Sequence, residues 1–499
     1  MIRGSVHILV RSSLHRRLAA YPLWRRYSHD SLKHIVASSR VIRFGQGIIK
    51  YTLFTSLGIV AATAVGFEGT HLWIEKVELS PEQDSDVKRW EWDEDVEKWS
   101  GDSVMGGTDP SLGHHGRHWV RAAWAAYNWG ETKAAAVIAP DSKLAHSESQ
   151  PEDLKLIDTN MKTAEAFLRG ALRIANERNR DQHLHPETIS QLIYRHASIL
   201  ERLGEEAVQE SRSEYERAWV GFAGEGLDAA NIAARLGEIS FHLNQRSDAI
   251  LWWSRSIKLT RGEVPDDLKK LSSALGTLPS SPRAQRILAT TLVSLSAFYA
   301  QTGQFDQAQA IEEATLAILR NVSLPAPSIS VSPPHALHAL YLLHRSSLIS
   351  IHLAEVLNAR GKPPALSIQH LTSAAESSER VARALTGKYH SSWEKSIPLQ
   401  DTTPSSAYMD SRSMKKPALA LLRDARRTTA EAWNLIGILN ETQGKNISAA
   451  LQCYERAVHW AATTDPTSHN MKPHEDILES EWTSIWNNYN RAKESAEDG

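Results

Sequence analysis

The sequence predicts an all-α protein in which a solenoid of antiparallel helix pairs follows a single transmembrane helix. Three observations predict this fold class. After residue 110, apolar residues recur at helical spacing between short breaks. Three segments of this region align with one another, which is typical of helical repeats. Residues 51–67 form an uncharged run with the sequence YTLFTSLGIVAATAVGF.

Composition narrows the class of protein further. Hydrophobic residues make up 41% and charged residues 23% of the 499 residues, as in ordinary globular proteins. The formal net charge of -2 gives no indication of nucleic-acid binding. The single cysteine, Cys453, excludes an internal disulfide and a multi-thiolate metal site.

Residues 1–27 are predicted to be a mitochondrial presequence. They contain six arginines and no acidic residue, and this composition is typical of targeting to the matrix. The run Arg25-Arg26-Tyr27-Ser28 resembles a processing-peptidase site, so we expect the mature N-terminus near Ser28. A basic, disordered tail is the alternative interpretation.

A transmembrane helix is predicted over residues 48–74. Its uncharged run of 17 residues spans about 25 Å, and apolar neighbours extend it toward the ~30 Å hydrocarbon core of a bilayer. A buried core helix is the alternative, but the run is apolar on all sides. The preceding segment 28–47 is basic, and the tryptophan-rich linker 75–114 is acidic. This asymmetry predicts a single-pass inner-membrane protein with its N-terminus in the matrix and its repeat domain in the intermembrane space.

The internal repeat predicts the architecture of the large domain. Three segments carry it: 233–259, 292–319 and 433–458. In each segment a first helix ends near a glycine or a polar turn, and a second helix follows. Ala249, Ala308 and Ala450 take the equivalent small position of the second helix, where a small side chain lets the two helices approach closely.

These segments resemble the tetratricopeptide (TPR) repeat. Leu236-Gly237 matches the Leu-Gly pair of that motif. Trp253 and Tyr454 match its aromatic position in the second helix, whereas Glu312 departs from it. A generic α-solenoid is the alternative.

The resemblance implies five to six TPR-like helix pairs over residues 115–462. A C-terminal helix and tail follow over 463–499. The copies are irregularly spaced, and long insertions rich in Ser, Pro or Thr explain the irregularity: 262–284, 321–335 and 387–416.

The resemblance also implies a partner-binding groove, because stacked repeats turn the first helix of each pair toward a concave face. Carried over by register, its residues are polar with little net charge: Gln191, Tyr194, Ser198, Arg202, Asn231, Glu238, His242, Thr290, Gln301, Glu431 and Asn434. Some TPR proteins bind the C-terminal carboxylates of chaperones with a Lys/Asn/Lys/Arg clamp. Ala234, Glu238, Val293 and Ala297 stand at those positions here, so chaperone docking is disfavoured.

The sequence shows little that would support catalysis. It contains no phosphate loop, no G-x-S-x-G and no H-E-x-x-H motif. His114, His115 and His118 form a cluster, and clustered imidazoles can bind a metal. No carboxylate or thiol completes the set locally, so a structural role is favoured. We expect no catalytic site, no cofactor and no metal.

The acidic linker contains Trp92 and Trp99, which lie a heptad apart and are predicted to share one face of a short helix. We expect this segment to pack against the first repeat or along the membrane surface. A partner-docking role is the alternative.

Presequence, span and repeat domain together resemble the fungal mitochondrial inner-membrane TPR adaptor subunit of the i-AAA protease complex. That resemblance implies a non-enzymatic adaptor that recruits client membrane proteins to an AAA protease for protein quality control. Its expected partners are the protease subunits and clients, with one span in the lipid bilayer and no nucleic acid. The alternatives are an assembly factor for a respiratory-chain complex and an enzyme with its site in an inserted loop.

Overall fold

The computed structural model describes the following residues: 55–56, 61–63, 65–96, 98–100, 106–129, 159–180, 184–262, 275–320, 331–387, 403–463, 472–474 and 477–497. The predicted presequence over 1–27 and the basic segment over 28–47 lie outside the described residues. The same is true of the first half or more of each predicted insertion: 263–274, 321–330 and 388–402. The chain divides into two compact units, Met1–Thr70 and His71–Gly499.

In the first unit, the described residues are helical. The Thr70 hydroxyl donates a hydrogen bond to the Gly66 carbonyl, one helical turn earlier, at 2.9 Å. Within the described part of the chain, no helix has both the length and the apolar character that crossing a bilayer requires. The described residues do not include the whole predicted span; they leave out 48–54, 57–60 and 64.

The second unit is an array of helix pairs. A π-helical turn (Ile74–Glu78), a short helix α1 (Ser85–Arg89) and a 3-10 turn (Pro110–Leu112) precede it. Six pairs then follow among the described residues: α2 (Gly113–Trp129) with α3 (Thr159–Asn179), α4 (Thr188–Arg202) with α5 (Glu205–Gly221), α6 (Gly226–His242) with α7 (Arg246–Arg261), α8 (Pro282–Gln301) with α9 (Phe305–Arg320), α10 (Pro333–Ala359) with α11 (Pro364–Thr386), and, after the short α12 (Ser406–Met409), α13 (Arg412–Thr442) with α14 (Ile447–Ala461).

The predicted all-α repeat architecture is confirmed. Links of two to four residues join the helices of every pair from α4–α5 onward, and such short links make neighbouring helices antiparallel. After α14, a two-residue strand β1 (Ala462–Thr463) pairs antiparallel with β2 (Lys472–Pro473), and Ala462 lies opposite Pro473. The final helix α15 (Glu479–Glu497) packs against α13 and α14.

Close contact between a glycine and an aromatic ring fixes the spacing within two of the pairs. A Cβ atom added to Gly237 of α6 would lie 2.4 Å from Nε1 of Trp253 in α7. A Cβ atom on Gly437 of α13 would lie 2.4 Å from Cε1 of Tyr454 in α14. These are the glycine and aromatic positions that define the resemblance to the TPR motif, so the motif residues make the packing contacts that a TPR-like repeat requires.

We expect Gly437→Ala to destabilise the array, because Tyr454 is fully buried and its ring has no room to retreat from the new methyl group. Overpacking of this kind costs about 1–2 kcal/mol, which thermal unfolding followed by circular dichroism would detect. Gly69→Ala is the matched control, since Gly69 is helical and nothing lies within 4 Å of its added Cβ. An unchanged melting temperature for Gly437→Ala would contradict the assignment.

Trp92 and Trp99 of the linker belong to different parts of the core. Trp99 packs with buried residues of the first three pairs, whereas Trp92 packs with buried residues of α10, α11, α13 and α14. The helix α1 ends at Arg89, and Glu91 then takes a left-handed backbone conformation with φ of 54°. The predicted helix with both tryptophans on one face is therefore wrong, because Glu91 breaks the helical path before Trp92.

Candidate functional site

A central cavity of about 620 Å³ lies inside the array. Its walls are built mainly from the first helix of each pair, with Tyr127 of α2 at one end of the series and Pro417 of α13 at the other. The first and last of these helices also touch directly, since the Lys416 ammonium donates a hydrogen bond to Asn128 Oδ1 at 2.6 Å. The six pairs therefore curve far enough to surround the cavity.

Seven of the predicted groove residues line this cavity: Gln191, Tyr194, Ser198, Arg202, Asn231, Glu238 and Thr290. Hydrogen bonds tie several of them across neighbouring helices. The Asn231 amide donates to the Tyr194 hydroxyl at 3.0 Å. The Thr290 and Tyr341 hydroxyls lie 2.7 Å apart. The structure thus brings residues that are up to 99 positions apart in sequence onto one surface.

The other four predicted groove residues lie outside the cavity. His242 and Gln301 are exposed at the C-terminal ends of α6 and α8. Glu431 lies further along α13 than the cavity-lining Pro417. Asn434 is buried, and its side-chain oxygen accepts a hydrogen bond at 2.9 Å from Asn488 of α15. The C-terminal helix therefore covers the last part of the predicted groove.

The repeat helices bring six arginines into the cavity: Arg195, Arg202, Arg235, Arg283, Arg286 and Arg345. Of these, register alone singled out only Arg202. The repeats contribute three acidic residues, Glu201, Asp228 and Glu238. The part of the wall that the repeats contribute therefore has a net positive charge. Arg195 lies next to the predicted groove residue Tyr194 in sequence, whereas the repeat register gave no signal for Arg235, Arg283, Arg286 and Arg345.

Arg235 is paired with an acidic residue in the cavity wall. Its side chain is 48% exposed, and because it lines the cavity, this exposed part faces the cavity. Its guanidinium donates to Glu238 at 3.0 Å, and the neighbouring carboxylate raises the pKa of Arg235. Burial raises the pKa of the nearby Tyr194 hydroxyl, so Tyr194 stays neutral and acts as a hydrogen-bonding group.

A segment of the linker, residues 85–96, runs along one side of this cavity. Trp92 is 1% exposed, and its indole N–H donates to the Pro334 carbonyl at 2.9 Å. The Arg286 guanidinium carbon lies 3.9 Å from the centre of the Trp92 ring, a cation–π contact. The neighbouring Trp90 ring stacks on His335 with centroids 4.2 Å apart. Both tryptophans are therefore held by the fourth and fifth helix pairs.

Two buried arginines of α8 clamp the acidic end of this segment. Arg286 donates to Asp95 Oδ2 at 2.7 Å and to the backbone carbonyl of Glu91 at 2.8 Å. Arg283 donates to Asp95 Oδ1 at 3.2 Å. The Glu91 carboxylate accepts a hydrogen bond from the Arg283 backbone N–H at 2.8 Å, at the N-terminal end of α8 where the helix dipole favours an anion.

The beginning of the linker is anchored at both ends of the array. The Glu75 carboxylate accepts hydrogen bonds from Thr108 and from Arg117 of α2, the latter at 2.7 Å. Arg412 at the start of α13 donates to the Glu78 carbonyl at 2.8 Å, and Ser413 donates to Glu82 at 2.6 Å. The linker therefore bridges the first and the sixth helix pairs before it reaches the cavity.

The histidine cluster lies at the start of α2. His118 Nδ1 is 2.9 Å from the His114 carbonyl one turn earlier, and the two rings are 4.0 Å apart. These contacts join successive turns of one helix. His185 lies outside this cluster, and its backbone N–H donates to Asp109 Oδ2 at 3.1 Å.

Comparisons with known proteins add little to this description. No protein-family model matches the chain, and no curated protein matches it. A structure of the human IFIT1 dimer with m7Gppp-AAAA is similar over 80% of this chain and 95% of that chain, at 14% identity. The TM-score is 0.19, and so loose an overlap carries no argument. The TPR-like repeat architecture instead rests on the helix pairs and the glycine–aromatic contacts.

Proposed function

We propose that this chain is a non-enzymatic adaptor that binds other proteins in the central cavity of its TPR-like repeats. The observation that carries the proposal is the convergence of seven predicted groove residues, Arg202 among them, and five further arginines on one cavity of about 620 Å³. Arginine and tyrosine are the residues that most often dominate binding energy at protein interfaces. The described cavity wall combines both types.

The setting we propose is the mitochondrial inner membrane. The arginine-rich, acid-free residues 1–27 support import into mitochondria, and the uncharged run 51–67 with its basic and acidic flanks supports one span. In this proposal the adaptor recruits client membrane proteins to an AAA protease in the intermembrane space for protein quality control. The resemblance in domain order to the fungal i-AAA adaptor family supports it.

The test is to purify the tagged full-length protein from mitochondria in mild detergent and to identify its partners by mass spectrometry. Enrichment of an AAA protease supports the adaptor role. Enrichment of respiratory-complex subunits without a protease would instead indicate an assembly factor, and the adaptor proposal would be abandoned.

Variants of the cavity connect this experiment to the structure. Arg202 and Arg345 line the cavity, and each guanidinium lies over a tyrosine ring, at 5.1 Å and 4.7 Å from its centre. We expect Arg202→Ala with Arg345→Ala to reduce partner recovery about tenfold, the effect of losing about 1.4 kcal/mol of binding energy. The matched control is His242→Ala with Gln301→Ala, two predicted groove positions outside the cavity. Equal recovery with both double variants would reject the cavity as the binding site.

A further inference from the structure

The linker segment and the cavity wall have complementary charge. Residues 85–96 have the sequence SDVKRWEWDEDV, with five acids and two bases. The wall contributed by the repeats has six arginines and three acids. A segment of opposite charge therefore lies against the surface that the repeat architecture assigns to partners.

The contacts of this segment are those of a bound peptide. Arg286 donates to two main-chain carbonyls, those of Trp90 at 3.1 Å and Glu91 at 2.8 Å, which any peptide could offer. Side chains supply selectivity: Asp95 accepts from both Arg283 and Arg286, and Trp92 lies beneath the Arg286 guanidinium. Main-chain hydrogen bonds combined with a few side-chain anchors are the usual basis of peptide recognition.

The bound conformation of this segment is energetically unfavourable at two residues. Glu91 has a left-handed backbone conformation with φ of 54°, which is unfavourable for a residue other than glycine. The Asp93 Oδ1 atom is buried, and it has no hydrogen-bond partner among the described residues. Burial also raises the pKa of this carboxyl. Attachment to the same chain offsets such costs, because it supplies a local concentration in the millimolar range.

The segment does not fill the cavity. About 620 Å³ remains beside it, bordered by residues of the segment itself and by Arg202, Arg235 and Arg345. Arg202 and Arg235 are both exposed within this wall. An incoming peptide can therefore contact cationic side chains of the wall before the linker segment leaves.

From these observations we propose that residues 85–96 are an internal ligand of the cavity, and that the partner is an acidic, tryptophan-containing peptide segment that replaces them. This inference rests on the proposed function and names the chemistry of its partner. It also makes binding competitive: the affinity for a partner is reduced by the fraction of molecules in which the internal segment is bound.

The test uses a fluorescent peptide with the sequence of residues 84–96 and the purified full chain in detergent. Its affinity is measured by fluorescence anisotropy for the unaltered chain and for Glu91→Ala with Asp95→Ala. This double variant removes the carboxylate that accepts from the Arg283 backbone N–H and the one that accepts from both guanidinium groups. We expect the double variant to bind the peptide at least tenfold more tightly. A control peptide, in which alanine replaces Trp92 and asparagine replaces Asp95, should bind at least tenfold more weakly.

Equal affinity of the two chains for the peptide, or of the two peptides for the double variant, would overturn the inference. If the double variant does not fold, hydrogen exchange of the unaltered chain replaces it. Adding the peptide should then accelerate exchange of the backbone amides of residues 85–96, and unchanged exchange would overturn the inference. Should the peptide fail while Arg202→Ala with Arg345→Ala still reduces partner recovery, the internal ligand is rejected and the adaptor function stands.

Discussion

Glu312→Gln is expected to stabilise the protein at pH 8 and to have a much smaller effect at pH 5. Glu312 of α9 is fully buried, and its Oε1 atom accepts a hydrogen bond from Ser296 at 2.8 Å. Its Oε2 atom has no partner among the described residues. Burial raises the pKa of this carboxyl from 4.5 to about 7, with smaller contributions from Glu355 and Glu313.

The direction of the effect follows from the two pKa values. Because the folded-state pKa is the higher one, the folded protein holds this proton after the unfolded chain has released it. The contribution of Glu312 to the free energy of unfolding is therefore greatest below pH 4.5. It falls as the pH rises to about 7 and is constant above that. Between pH 5 and pH 8 the carboxyl loses about 2.5 kcal/mol of stability, whereas a glutamine loses none.

The measurement is urea unfolding of both chains at the two pH values, followed by circular dichroism. Glu313→Gln is the matched control, since Glu313 is the next residue on α9 and is exposed. It should change the dependence on pH far less than Glu312→Gln does, because Glu313 makes only a small contribution to the raised pKa of Glu312. If the free energies of unfolding of Glu312→Gln and the unaltered chain differ by the same amount at pH 5 and pH 8, Glu312 is ionised in the folded protein at both pH values.

Local contacts explain why the helix pairs could be predicted from the sequence. Gly237 and Trp253 are 16 residues apart, within one pair, so a pattern along the chain records their contact. The same reasoning identified Glu312 as a departure from the aromatic position. The repeat pattern could not predict that Ser296 and His352 surround Glu312, because His352 belongs to the next helix pair. The Ser296 hydroxyl lies 3.1 Å from His352 Nδ1.

The cavity was predicted only in part, since its walls come from contacts between distant residues. Register along the repeats placed Tyr194 and Asn231 correctly on one surface, because each repeat has the same geometry. Nothing in a local pattern relates Asp95 to Arg286, which are 191 residues apart. The helix α15 likewise covers Asn434 through a contact that the repeat motif does not contain. Regular repeats were predictable, whereas the segments that fold back onto them were not.

Glu379→Ala is expected to weaken the C-terminal end of the array by about 3 kcal/mol, because it removes the acceptor of several buried donors at once. Glu379 of α11 is 6% exposed. Its Oε1 atom accepts hydrogen bonds from the indole N–H groups of Trp433 and Trp460, at 2.9 Å and 3.2 Å. Arg456 donates to the same oxygen at 2.9 Å and lies over the Trp433 ring. One carboxylate therefore joins α11, α13 and α14.

Urea unfolding of the full chain, monitored by tryptophan fluorescence, measures this effect, since two of the groups that donate hydrogen bonds to Glu379 are tryptophan indoles. Glu376→Ala is the matched control, because Glu376 is exposed on the same helix. Glu379→Gln keeps an acceptor oxygen for the indoles but removes the charge that faces Arg456, so its loss of stability should lie between those of the other two variants. If Glu379→Ala and Glu376→Ala unfold at the same urea concentration, Glu379 does not join these helices, and their stability comes from apolar packing alone.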